Sequence, residues 1–115
     1  MIEAVADNDI NDKMLVQLEA RVGHRIPRIR QFGMSETPDV EVLHWAASAG
    51  FVGISHDAAT MIAVANARIA RGLAMPGLII VRQSSPIGRT IEYLYEALEG
   101  GDPADFVDQV KYGPK

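Results

Sequence analysis

The stretch Leu78-Ile79-Ile80-Val81-Arg82 decides the fold class, because it contains the longest apolar run of the chain and lies between segments with helical periodicity. Such a run predicts a strand that is buried in a parallel sheet. It is far shorter than the roughly 18 apolar residues of a membrane span. Helices are predicted over 58–71 and 86–99 on either side of it, so the stretch indicates an α/β fold.

The same alternation of strand-like and helix-like segments extends over the whole chain. Further strands are predicted over 2–6, 26–30, 51–55 and 109–112, and further helices over 10–22 and 38–49, with a short helical turn from Pro103. This order predicts a three-layer α/β/α sandwich with a mostly parallel five-stranded sheet. Right-handed crossovers favour the strand order 2-1-3-4-5, which puts the second strand with Pro27 at an edge. Thr37 and Ser85 are predicted as N-caps of the helices that follow them.

The composition indicates one domain over 1–115 and excludes several classes of protein. Of the 115 residues, 48% are hydrophobic and 23% are charged, as in an average globular protein. The chain has no cysteine, which excludes disulfides, zinc ribbons and thiol catalysis. The first residues include Glu3, Asp7 and Asp9 and no base, unlike a signal peptide, so we expect a cytoplasmic protein without membrane contact.

Three carboxylates are predicted to meet at one edge of the sheet. Asp7 follows the first strand, Asp57 follows the strand over 51–55, and Asp39 lies in the first turn of a helix. The carboxyl ends of parallel strands share this edge, and ligands bind where the strand order reverses. Asp39 also heads the apolar face of its helix, where an acid is unusual unless a cation faces it. Clustered oxygen ligands of this kind suit Mg²⁺ or Mn²⁺.

Asp39, Asp57 and the nearby Asp9 also have structural explanations that the sequence leaves open. Asp57 and Asp9 precede helices and are suitable N-caps, and Asp39 complements the dipole of its own helix. Asn8 and Asp9 directly follow Asp7 and are secondary candidates for the same site.

Basic, hydroxyl and imidazole side chains are candidates for contact with a substrate or a partner. Arg28 and Arg30 are expected to be exposed on the edge strand, where they either form a solvated face or meet phosphates or an acidic partner. Ser84 and Ser85 precede a helix and either cap it or lie beside a bound phosphate. His56 adjoins the proposed site and is a candidate for proton transfer. The net charge of −4 argues against strong nonspecific binding of nucleic acid.

Several segments resemble the PIN-like domains, in particular the short branch related to VapC-type toxin ribonucleases. The segments are 5–9 (VADND), 38–46 (PDVEVLHWA), 53–57 (GISHD), 83–88 (QSSPIG) and 110–112 (VKY). The resemblance implies a PIN-like fold and a metal-dependent endoribonuclease, the toxin of a toxin–antitoxin system. Asp7, Asp39 and Asp57 would bind Mg²⁺ or Mn²⁺, and the metal-bound water would hydrolyse RNA. Ser55 matches the hydroxyl residue two positions before the last acid.

The resemblance further implies a cognate antitoxin protein and a homodimer, and two alternatives remain beside it. Full-length PIN-like domains carry a glutamate between the first two acids that has no counterpart here, and Ala59 and Thr60 replace a second acid and an aromatic residue. A PIN-like binding module with weak catalysis is therefore one alternative. A phosphorylatable receiver-like signalling domain, with Asp57, Ser84 or Ser85, and Lys111 in its site, is the other.

Overall fold

Strands and helices alternate along residues 2–114, which are the residues that the computed structural model describes. The strands are β1 (Ala4–Ala6), β2 (Val52–Ser55), β3 (Leu78–Val81) and β4 (Val110–Gly113), and the helices are α1 (Asp12–Val22), α2 (Asp39–Ala49), α3 (Ala58–Ala70) and α4 (Ile87–Gly100). Two 3₁₀ turns cover Ile29–Phe32 and Pro103–Asp105. Within this part of the chain, no helix has the length and hydrophobicity of a membrane-spanning segment.

The four strands form one parallel sheet in the order β1-β2-β3-β4. One continuous row across the sheet pairs Ala6 with Ile54, Ile54 with Ile79, and Ile79 with Lys111. The residues that follow β1, β2 and β3 therefore emerge side by side at a single edge. This edge carries the candidate site.

The structure shows four strands where the sequence predicts five. The predicted strand over 26–30 contributes a single bridge, between Arg28 and Ala6, on the side of β1 that does not pair with β2. The strand does not continue because the 3₁₀ turn over Ile29–Phe32 begins directly after Arg28. The bridge to β1 is made by the N–H of Ala6, which donates to the carbonyl of Pro27 at 2.9 Å, while the N–H and the carbonyl of Arg28 are bonded to Gln31 within the turn.

The sheet is covered by helices on both faces. Ile79 packs in a cluster with buried residues of α1 and α4, whereas Leu78 and Ile80 pack in a second cluster with buried residues of α2 and α3. All three side chains are 0% exposed. The prediction that this run is a strand buried on both faces is therefore confirmed.

The ends of the helices differ from the predictions by one or two residues where proline intervenes. α2 and α4 begin directly after Pro38 and Pro86, and neither has a side-chain cap, so the predicted N-caps Thr37 and Ser85 are wrong. The N–H of Ser85 instead donates to the carbonyl of Arg82 at 3.2 Å, in the turn before α4. Gly23, the predicted end of α1, is its C-cap with a φ of 82°, a conformation that favours glycine.

Candidate functional site

Four aspartates converge at the carboxyl edge of β1 and β2. Asp7 directly follows β1, Asp9 lies in the loop after it, Asp57 follows β2, and Asp39 is the first residue of α2. The pKa of Asp39 is raised above its ordinary value, first by burial of the carboxyl and then by the negative charges of Asp7, Asp57 and Asp9. The structure thus brings together the three acids that the sequence singled out and adds Asp9 to them. We refer to these four residues as the acidic cluster.

Ser55 links two members of the acidic cluster. Its side chain is buried at the end of β2, with Oγ 2.9 Å from Oδ2 of Asp7 and 3.3 Å from Oδ2 of Asp9. Oγ also accepts a hydrogen bond from the backbone N–H of Asp57 at 3.0 Å. A hydroxyl group has one hydrogen, so only one of the two carboxylates receives it fully, and Asp7 is the closer acceptor.

Asp9 is held against the backbone that follows β2. Its two carboxylate oxygens lie 3.2 Å and 3.1 Å from the backbone N of His56, which donates to them. Although the residue as a whole is exposed, burial of the carboxylate raises the pKa of Asp9; the negative charge of Asp7 adds to this, while the bond from His56 opposes it. The predicted alternative, that Asp9 caps α1, is wrong. Asn11 is the cap, because its Oδ1 accepts from the N–H of Lys13 at 2.7 Å.

Asp57 has two roles. It is the N-cap of α3, with Oδ1 accepting a hydrogen bond from the N–H of Thr60 at 2.9 Å, as the structural explanation predicts. Its carboxyl is also near enough to Asp39 to contribute to the raised pKa of that residue, after the larger effects of burial and of Asp7. Capping therefore does not remove Asp57 from the acidic cluster.

Asn8 ties the loop after β1 to the segment before α2. Its backbone N–H donates to Oδ1 of Asp7 at 2.8 Å, and its Nδ2 donates to the carbonyl of Ser35 at 3.0 Å. One residue therefore fixes the carboxylate of Asp7 and also holds the chain that leads to Asp39.

The acidic cluster matches Mg²⁺ or Mn²⁺ by its chemistry. Its oxygen donors are those that hard divalent cations prefer, and the raised pKa of Asp39 reflects burial first and then the like charges of its neighbours, which a cation would relieve. Over residues 2–114, no group of three or more Asp, Glu, His or Cys side chains has the arrangement that holds a metal ion. The oxygen donors therefore suit a metal by their chemical type. In this structure, however, the acidic cluster forms hydrogen bonds with Ser55, His56 and Thr60 of the protein itself.

Arg28 and Arg30, the candidates for a solvated face or for contact with phosphates or an acidic partner, are paired with acids of α1. Arg28 is 5% exposed, and its guanidinium donates to Glu19 at 2.7 Å and to the carbonyl of Ile26 at 2.7 Å. Arg30 donates to both carboxylate oxygens of Asp12. The expectation that Arg28 is exposed is wrong, because the edge strand on which it depended is replaced by a turn that directs the side chain toward α1.

The remaining candidates lie around a cavity of about 390 Å³ on the α1/α4 side of the acidic cluster. His56 and Ser85 line this cavity, whereas Ser84 lies in the turn before α4 and is exposed. Nδ1 of His56 lies 2.8 Å from the carbonyl oxygen of Val81. A carbonyl oxygen only accepts, so Nδ1 carries a hydrogen in this contact and Nε2 faces no protein partner within residues 2–114. Gln83 lines the same cavity and was not singled out, although its position after β3 places it at the same edge.

Comparisons with known proteins give no match: the chain matches no model of a protein family, no curated protein and no solved structure. The resemblance to PIN-like domains therefore rests on the segments quoted above, and the function is argued from the site.

Proposed function

We propose that the protein is a metal-dependent ribonuclease of PIN type, with Mg²⁺ or Mn²⁺ as its cofactor and RNA as its substrate. The observation that carries this proposal is the convergence of four carboxylates from three separate segments at one sheet edge, where Ser55 contacts both Asp7 and Asp9 and the charges of the other three acids add to the effect of burial on the pKa of Asp39. The resemblance of the same segments to PIN-like domains supports the RNA substrate. It also supports the finer fold assignment, a PIN-like three-layer sandwich.

The proposed chemistry divides into the metal's part and the protein's part. A bound divalent cation supplies a water of lowered pKa and neutralises charge on the phosphodiester. Asp7, Asp39 and Asp57 would hold the cation, with Asp9 beside them. Ser55 orients the carboxylate of Asp7 through the 2.9 Å contact between its Oγ and Oδ2 of Asp7. This contact holds the carboxylate in the acidic cluster. Burial and the neighbouring carboxylates raise the pKa of Asp39, and any proton on this carboxyl would leave when the cation binds, because a ligand carboxylate has to be deprotonated.

We extend the proposal to the toxin component of a toxin–antitoxin system, acting in the cytoplasm as a homodimer and inhibited by a cognate antitoxin protein. The support is the resemblance to the short toxin-like branch, which spans segments from both ends of the chain. Measurement of the mass of the purified protein in solution tests the dimer, and co-purification with the product of a neighbouring gene tests the antitoxin.

Cleavage of RNA in the presence of Mn²⁺ tests the enzymatic part. Wild type should cut structured or single-stranded RNA, and Asp7→Asn should reduce cleavage to the level without metal. Asp105→Asn is the matched control, since Asp105 is exposed in the 3₁₀ turn before β4, at the opposite edge of the sheet. Equal cleavage by wild type and Asp7→Asn would contradict the proposal.

A binding module with weak catalysis is the second candidate, and the cap role of Asp57 favours it, because Oδ1 of this carboxylate already accepts from the N–H of Thr60. Retention of labelled RNA by wild type in Mg²⁺, without cleavage in either metal, would support this candidate. The receiver-like alternative has less support, since the ammonium of Lys111 lies 5.1 Å from the centre of the Phe106 ring.

A further inference from the structure

The cavity beside the acidic cluster is large enough for a ligand. Its volume is about 390 Å³, and it is lined by the loop after β1, the first turn of α1, the segments after β2 and β3, and the first turn of α4. Small-molecule sites in proteins have volumes of about 300–1,000 Å³. The void beneath Asp7 and Ser55, by comparison, measures about 10 Å³, the size of one water. A substrate group larger than water therefore has room in the first space and not in the second.

The lining of this cavity combines apolar surface with uncharged polar groups. Met14 is buried at one wall, and Ile87 is 51% exposed at another. The charged lining residues are one base, Arg82, and one acid, Asp9, apart from His56. The guanidinium of Arg82 also lies over the Tyr112 ring, 5.2 Å from its centre. The cavity therefore has no excess of positive charge of the kind that would favour a phosphate group.

Three polar groups of the lining are available to a ligand. The side chains of Gln83 and Ser85 form no hydrogen bond within the part of the chain that the structure describes. Nε2 of His56 is the ring nitrogen available to a ligand, because Nδ1 is bonded to the carbonyl of Val81. Together they offer an amide with donor and acceptor atoms, a hydroxyl and an imidazole nitrogen.

We infer that this cavity binds a nucleobase of single-stranded RNA, in the nucleotide next to the phosphodiester that the acidic cluster acts on. A base has apolar faces, which suit Met14 and Ile87, and a polar edge, which suits Gln83 and Ser85. Asp9 belongs to both the cavity and the acidic cluster, so a base in the cavity keeps its own phosphate close to the carboxylates. Bases in an RNA duplex are stacked and paired, so an unpaired base is required. The identity of the substrate in this inference rests on the proposed function.

Nucleotide binding in the presence of a chelator tests the inference without metal or cleavage. The probes are the four ribonucleoside 5′-monophosphates, with ribose 5-phosphate as the probe that lacks a base, and the readout is the shift of backbone amide signals in NMR titrations. We expect at least one nucleotide to shift the signals of residues 82–90 and ribose 5-phosphate not to do so. Equal shifts by ribose 5-phosphate would show a phosphate site and overturn the inference, as would the absence of shifts with all four nucleotides.

Two variants identify the side chains responsible. Gln83→Ala should weaken the binding of the preferred nucleotide about threefold to tenfold, the effect of losing one or two neutral hydrogen bonds. Gln17→Ala is the matched control, because Gln17 is exposed on α1 and does not line the cavity. An unchanged dissociation constant for Gln83→Ala would overturn the assignment. If the chain binds nucleotides here but cleaves no RNA, the proposed nuclease function fails while the base-binding site stands.

Discussion

The hydroxyl of Ser55 lies 2.9 Å from Oδ2 of Asp7, although 48 residues separate the two in the sequence. The register of β1 and β2 produces this contact. Ala6 pairs with Ile54, so the residues that follow them, Asp7 and Ser55, lie side by side. The buried hydroxyl of Ser55 thereby orients the carboxylate of Asp7, which follows the first strand.

Ser55→Ala should destabilise the protein. The substitution removes the donor to Asp7 and leaves the N–H of Asp57 without its acceptor. We expect the free energy of unfolding in chelator to fall by about 1–3 kcal/mol, the usual effect of unsatisfied buried polar groups. Urea denaturation measures it, with Ser48→Ala as the control, since the hydroxyl of Ser48 bonds only to the carbonyl of His44 on an exposed helix surface. Equal losses in both variants would contradict this account of Ser55.

Asp57→Asn and Asp57→Ala separate the cap from the metal ligand. Asn keeps the cap and removes one charge from the acidic cluster, so Asp57→Asn should melt above wild type in chelator. Ala removes the cap as well, which costs about 1 kcal/mol relative to Asn. Mn²⁺ at ten times its dissociation constant should stabilise wild type by about 1.4 kcal/mol and leave both variants nearly unchanged. Thermal melts of the three proteins with and without Mn²⁺ measure this, and the absence of a metal shift in wild type would restrict Asp57 to the cap.

Asp39 should give the stability a pH dependence of defined sign. Its pKa in the folded protein lies above the ordinary value of 3.8, because of burial and the neighbouring carboxylates. Between these two values the folded state binds more protons than the unfolded state, so this contribution to stability is lost as pH rises through the raised pKa. Asp39→Asn should therefore gain stability relative to wild type as pH rises above about 4.

Glu19→Gln is the control for that measurement and should have the opposite sign. Burial alone would raise the pKa of Glu19, but hydrogen bonds from Arg28 and Ile26 outweigh it and lower the pKa below 4.5. A carboxyl with a lowered pKa stabilises the fold above its unfolded value, and the contribution is lost as pH falls. Glu19→Gln should therefore lose stability relative to wild type as pH rises. Urea unfolding at several pH values measures both differences, and equal signs would refute the assignment.

Arg28→Ala and Arg30→Ala should differ strongly in their effect on stability. Arg28 is buried and paired with a largely buried Glu19, and its removal leaves that carboxylate without its cation, at a cost of about 3 kcal/mol. The guanidinium of Arg30 pairs with Asp12 at the surface, where such pairs contribute about 1 kcal/mol or less. Chemical denaturation of both variants measures the difference. Similar small losses of stability in both variants would contradict the burial of Arg28 and would favour the exposed edge strand that the sequence predicts.

The order of strands and helices could be predicted because it depends on local patterns. The run 78–81 and the helical spacing of Val42, Leu43 and Ala46 are both readable from the sequence, and all of these residues are buried. The edge that carries Asp7 and Asp57 follows from the same patterns, since the carboxyl ends of parallel strands share one side.

The parts that could not be predicted depend on side chains that compete for the backbone. The side chain of Gln31 accepts from the N–H of Arg28 and caps the 3₁₀ turn that begins at Ile29, so the predicted strand over 26–30 ends after a single bridge, and nothing in its strand-like pattern indicates this. The position of Asp9 could not be predicted for a similar reason, because its carboxylate accepts from the backbone N–H of His56, which is distant in the sequence. Such contacts appear only when the segments are brought together.

The bridge between Arg28 and Ala6 has a consequence for how copies of the chain can associate. It lies along the outer side of β1, where the N–H of Ala6 donates to the carbonyl of Pro27 at 2.9 Å, so the sheet cannot be extended at that point by a strand from another molecule. Within residues 2–114, β4 pairs only with β3, so its outer side is the sheet edge that is available for pairing with another molecule. Lys111 lies within β4, and a lysine on an edge strand is a common protection against edge-to-edge aggregation.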